Sequence, residues 1–285
     1  VSTPIAVVAD DYAIAPGVSG AIRELLDAGR ISATSCMTTT PVWDDEGPRL
    51  HRFMGRADIG LHFVLTDGSP CGPMPSLAPS GRFPAMGQLT RIAWAGRLDP
   101  AEVEAELHRQ LDRFEAVIGA PPDHIDGHQH VHQLPGVREV LVRVAAARLQ
   151  RRAWLRCTAE SAWTILRRGV AVPKAMLLAA AAGPLRRLAG DHPQNRGFSG
   201  VYGFDDRAPY PARFARFVDH ARPGLLVMTH PGAVDDVLRA ADRVTTAREA
   251  ELRFLLSAEL LDLLAARGLT VTRLRDALLS RPSAG

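Results

Sequence analysis

The chain has 285 residues, 46% of them hydrophobic, which is enough for one large or two ordinary globular domains with a sizeable core. Its 34 Lys plus Arg stand against 31 Asp plus Glu, and a net charge of +3 gives no basis for nucleic-acid binding. Cys36, Cys71 and Cys157 are far apart and form no C-x-x-C pair, which argues against a zinc ribbon or a disulfide framework and fits a reducing, cytoplasmic setting. No apolar run reaches spanning length and "VSTPIAVVADDYA" lacks a basic start, so neither a transmembrane segment nor a signal peptide is expected.

In chain order, "IAVVA" is the continuous apolar, β-branched run of a strand buried on both faces, and it ends at Asp10-Asp11. "PGVSGAIRELLDAG" sets Val18, Ile22, Leu25 and Leu26 on one helical stripe and stops at Gly29. "ISATSCM" and "DIGLHFVL" read as strands. The Pro-, Gly- and Ser-dense stretch 66–96 reads as a lid or binding loop. "DPAEVEAELHRQLDRFEAVIG" reads as a helix, with Asp99 as its cap, Pro100 in its first turn and Glu102 completing a capping box. Further strands are expected at "DHIDGHQHV", "AWLRCT", "GLLVMTH" and "LTVTRL", with helices over 136–150 and 246–267. About seven parallel βα units result, an α/β barrel or an open parallel sheet, within a single domain over 1–285.

Residues 161–190 stand apart: Ala/Leu-rich, with an Arg pair near each end. An amphipathic helix lying on a membrane or meeting a lipid-linked substrate is one reading. Pro173 and Gly183 interrupt the pattern too often for one long surface helix, so the expectation is an inserted helical hairpin packed on the barrel or at a subunit interface.

The stretch "IDGHQHVH" carries Asp126, His128, His130 and His132 at a spacing of two, which on an extended strand turns all four to one face. Asp10 and Asp11, His62, His128 and His230 each fall at or near the C-terminal end of a different expected strand: the first, third, fourth and sixth. In βα barrels those ends form the catalytic face, and this favours the barrel. Two imidazoles and a carboxylate on such a rim, Asp11, His62 and His128, make a three-ligand site that leaves positions on a divalent metal for water and substrate. A histidine taken alone, such as that in "GLHFVL", is more often a structural core-edge residue than a ligand. An Asp pair after a first strand also occurs in receiver domains that bind magnesium, but that leaves His62, His128 and His230 without a role.

Taken in order, "VADDYAIAPGVSGAI", "SATSCM", "IGLHFVLTDG", "HIDGHQHVH", "THPG" and "REAEL" resemble the YdjC-type (ChbG-like) carbohydrate deacetylases over nearly the whole chain. The resemblance implies a distorted TIM-like barrel holding one divalent metal, Mg2+ or Zn2+. It implies Asp11, His62 and His128 as metal ligands, Asp10 as general base and His230 as general acid or substrate-polarising group. The implied reaction removes the N-acetyl group of an N-acetylated amino sugar, and homodimerisation is an expectation at the level of the family. Where the family commonly has Asp-Asp-Phe-Gly, this chain has Asp10-Asp11-Tyr12-Ala13. Tyr12 is therefore a candidate for lining the sugar site, as are His130 and His132, while Asp126 is a candidate for fixing the tautomer of a ligand histidine. The competing readings are another metal-dependent hydrolase such as a phosphoesterase, for which no phosphate loop or second ligand set is evident, and a non-catalytic sugar- or metal-binding protein.

Overall fold

Eight strands, all paired in parallel, form a curled sheet in the computed structural model, which describes residues 2–205 and 207–279. They are β1 (Thr3–Tyr12), β2 (Ala33–Cys36), β3 (Asp58–Phe63), β4 (His124–Gly127), β5 (Trp154–Leu155), β6 (Gly197–Ser199), β7 (Leu225–Thr229) and β8 (Leu269–Val271). The order is β5-β4-β3-β2-β1-β7-β6, with β8 paired to the start of β1. Parallel neighbours need crossovers, and helices between the strands supply them, giving the α/β barrel-like architecture expected.

The two edges of the sheet meet. Leu155 of β5 bridges Gln194, just ahead of β6. Beyond the bridge the Asn195 side chain takes over from backbone, accepting the Cys157 N–H at 2.7 Å and donating to the Cys157 carbonyl at 2.7 Å. The side-chain amide thus satisfies buried backbone groups where no strand continues. β6 itself escaped the sequence reading because "GFS" between glycines carries too short an apolar run to signal a strand.

Side-chain alternation along β1 divides the core. Ala6 and Val8 point inward to pack with Ala33, Trp154, Phe198, Leu226 and Met228, while Ile5, Val7 and Ala9 point outward to the helices, where Val18, Ile22 and Leu25 wait. The helix Pro100–Ile118 begins as expected, with Asp99 accepting the Ala101 N–H, and ends at Gly119 in the left-handed conformation, φ +76°. Glu102 does not close a capping box. Its carboxylate accepts the N–H groups of Ser76 and Leu77, and Glu106 accepts that of Cys71, so this helix pins the 66–96 segment. The expected helix over 246–267 divides at Ser257 into Thr246–Leu256 and Ala258–Ala266. Residues 161–190 contain two helices, Ala162–Arg168 and Val172–Ala189. Among the described residues no helix is long and apolar enough to cross a membrane.

Candidate active site

Inward parity places Asp10 inside the barrel and would place Asp11 outside it. A bulge prevents that: the β1–β2 register shifts between Ala9 and Tyr12, and Asp11 has φ +66°. Aspartate tolerates this left-handed conformation better than most residues, and an extra residue in a strand re-aims the side chains beyond it. Asp10 and Asp11 therefore both line one cavity, and Tyr12 is turned to the outer layer. Buried there, Tyr12 donates its hydroxyl proton to the Glu46 carbonyl and accepts from Arg23, so it does not line this cavity, contrary to expectation.

The histidine stretch departs from the expected strand. β4 ends at Gly127, and His128–Gln133 form a 3-10 turn in which Gln129 and His130 have φ +52° and +62°. The alternation lapses and the imidazoles part. His128 and His130 line the cavity, whereas His132 is fully buried outside its lining and donates from Nε2 to the Arg156 carbonyl at 3.2 Å. His130 packs edge-on against Phe198.

Asp11, His62 and His128 present ligand atoms all within 4.8 Å of one another. Asp11 Oδ1 lies 3.0 Å from His128 Nδ1 and 3.3 Å from His62 Nε2, while its Oδ2 accepts from Arg248 Nη2 at 2.6 Å. His62 Nδ1 donates to Asp126 Oδ1 at 2.6 Å, which fixes the tautomer with Nε2 toward Asp11. Asp10, His62 and Asp126 also converge within that distance. In that second group the carboxylates are already engaged. Arg156 holds Asp10 through two bonds of 2.5 and 2.6 Å, and Asp126 takes Ser35 and Arg156 at 2.6 Å each on its other oxygen. The first group is the one that fits a cation.

Charge counting supports the same site. Asp10, Asp11 and Asp126, all buried, and the partly exposed Asp242 are joined through only two guanidiniums, Arg156 and Arg248, which leaves the network two positive charges short. A divalent ion would supply them. Without one, protons are drawn in: burial pulls His62 down, but Asp126, Asp11 and Asp10 outweigh it and push His62 up to about 10. Burial likewise opposes the charged form of His128, and bonding to Asp11 and Asp67 raises it.

His230 follows β7, the seventh strand rather than the sixth because β6 intervenes. Its Nε2 lies 4.0 Å from Asp10 Oδ2, and its ring stands edge-on to Phe204. Burial lowers it to about 4, so it is neutral near pH 7. Its backbone N–H donates to Glu251 at 2.7 Å, and Glu251, itself raised to about 7 by burial, also accepts from Tyr202. Arg156, Arg248 and Glu251 were not singled out from the sequence. The available signal was a charge on the apolar strand "AWLRCT", and two charges three apart in "REAEL", which share a helix face. The cavity encloses about 1370 Å³ and also draws Asp67, Arg82, Phe83 and Met86 from the 66–96 segment, and Lys174 and Leu178 from the second helix of 161–190.

A family model described as YdjC-like protein matches residues 4–266. A chitooligosaccharide deacetylase of Yersinia pestis (strain Pestoides F) is 37% identical over 141 residues, 48% of this chain and 53% of that protein. The chain thus spans about half the length of the curated relatives it matches. Among solved structures, a candidate cellobiose-phosphate cleavage protein from Enterococcus faecalis V583 superposes with a TM-score of 0.78 at 20% identity, covering 98% of this chain and 100% of the other. A peptidoglycan N-acetylglucosamine deacetylase superposes with a TM-score of 0.50 at 10% identity, covering 98% and 89%. At these identities both are likenesses of fold.

Proposed function

Because the chain belongs to the YdjC-like protein family, we propose that it is a metal-dependent hydrolase that removes the N-acetyl group of an N-acetylated amino sugar and releases acetate. The observation that carries this reading is the meeting of two adjacent buried carboxylates and four histidines, from the ends of β1, β3 and β7 and the turn after β4, in one cavity. The name of the Yersinia relatives supports the reaction, and a volume above the roughly 300–1,000 Å³ of ordinary small-ligand pockets suits an oligosaccharide or glycoconjugate.

Asp11, His62 and His128 would hold the ion, with Asp126 and Arg248 orienting them. When bound, a Mg2+ or Zn2+ ion supplies Lewis-acid polarisation of the acetyl carbonyl and acidifies water. Asp10 then accepts the proton of the attacking water, while Arg156 grips both carboxylate oxygens and fixes their direction. The carbonyl carbon gains a C–O bond and loses its C–N bond, and the departing nitrogen must gain a proton. His230, with Nε2 4.0 Å from Asp10, is set to pass that proton on, and its neutrality at rest lets it receive one.

Acetate release from N-acetylated sugars, headed by diacetylchitobiose, tests the reaction. Release that stops on chelation and returns on metal addition is the expected result; protein shown to hold metal but inert on every sugar in the panel would count against it. Metal uptake has its own signature. His62 titrates at about 10 without metal, so at pH 8 a bound ion must displace its proton, and affinity rises about tenfold per pH unit for each proton released. Calorimetry in buffers of different ionisation enthalpy reads that release directly, and uptake with no proton released would remove His62 from the ligand set. In metal-free protein the raised His62 stabilises the fold fully below its ordinary 6.5 and progressively less as pH climbs through about 10.

A further inference from the structure

The helix Val172–Ala189 is two-faced in an unusual direction. Ala175 and Leu178 pack on Phe198 and Val201 at the barrel, and Ala182, Leu185 and Ala189 are buried along the same side. The opposite side carries Leu177, Ala180, Pro184 and Leu188, a second apolar stripe at helical spacing, with Leu177 70% exposed. Trp163 and Leu166 of the preceding helix are exposed as well. Eight large hydrophobic residues are exposed among the described residues, and four of them lie in 161–190, about a tenth of the chain. Such clustering marks a surface that something covers.

Charge identifies the occupant. Residues 161–190 contain Arg167, Arg168, Lys174, Arg186 and Arg187 and no Asp or Glu, in a chain whose charges otherwise nearly balance. Arg168 is taken by Glu160, whereas the other four have no carboxylate partner among the described residues: Arg167 lies over the Trp163 ring and Lys174 donates to the Tyr202 carbonyl. Lys174 is the one lysine of the chain, and it lines the cavity. A symmetric dimer through this face would set the cationic segment against itself. Exposed Trp and Leu flanked by unpaired cations match instead the acyl boundary and headgroups of an anionic membrane.

We propose that the exposed face of 161–190, opposite the side packed on the barrel, docks on an anionic lipid bilayer. The docking is independent of the reaction carried out in the cavity, so its test stands apart from acetate release. The full chain is sedimented with phosphatidylcholine vesicles, with and without phosphatidylglycerol, at low and high salt. Binding to the anionic vesicles alone, weakened by salt, is expected. Arg186→Gln with Arg187→Gln should cut that binding roughly thirtyfold. Leu177→Ser with Leu188→Ser should weaken it with the charges intact. All four side chains are exposed, and unchanged melting of both variants confirms that folding is not the cause. No binding to anionic vesicles, equal binding to neutral ones, or a dimer in light scattering that Leu177→Ser with Leu188→Ser abolishes, would each overturn the proposal.

Discussion

Arg156→Met is expected to lower stability by about 3–5 kcal/mol, the cost of breaking a buried ion pair from one side. The arginine has no exposed side-chain surface and holds Asp10 with two bonds and Asp126 with a third. Methionine fills the volume but removes the guanidinium that the two carboxylates share, leaving Asp10 without its bonded cation and Asp126 with His62 alone. Arg156→Lys restores the charge without the planar fork, so it should recover part of the stability and little of the turnover, because Asp10 loses its fixed direction. Chemical denaturation of the two variants reads the first effect and acetate release the second. A loss under about 1 kcal/mol for Arg156→Met would mean that the network does not depend on its guanidinium.

Several residues that line the candidate site were legible because a polar residue terminating an apolar run marks the end of a parallel strand. Asp10, Asp11 and His230 each do this, whereas His62 interrupts the apolar run "LHFVL". What periodicity could not foresee is where it fails. A bulge at Asp11 reverses the parity of β1, bringing two consecutive aspartates inward and sending Tyr12 outward, and nothing in "VADDYA" marks it except the tolerance of aspartate for positive φ. The left-handed pair Gln129 and His130 likewise turns an expected row of imidazoles into one against the ligand set, one at the cavity wall and one in the core. The supporting arginines were illegible for a different reason. Their partners are distant in sequence, Asp10 with Arg156 and Asp11 with Arg248, and only the closed barrel brings them together.

Asp10→Asn separates the two neighbouring aspartates by function. Asparagine keeps the size and one acceptor oxygen but cannot accept the proton of water, so turnover should fall by about 10² to 10⁴, the contribution of a positioned general base. Metal affinity should hold, because Asp10 has both oxygens on Arg156 and lies outside the Asp11, His62 and His128 set. Asp11→Asn should do the reverse at the level of binding: it removes the carboxylate that faces both histidines, and metal should be lost before turnover can be judged. The bulge makes this contrast informative, since it is what allows adjacent residues to enter one cavity with different partners. Full turnover in metal-loaded Asp10→Asn would refute the division of labour, and with it the reading of Arg156 as the group that aims the base. Equal metal loss in both variants would mean that the buried carboxylates act as one charge reservoir rather than as ligand and base.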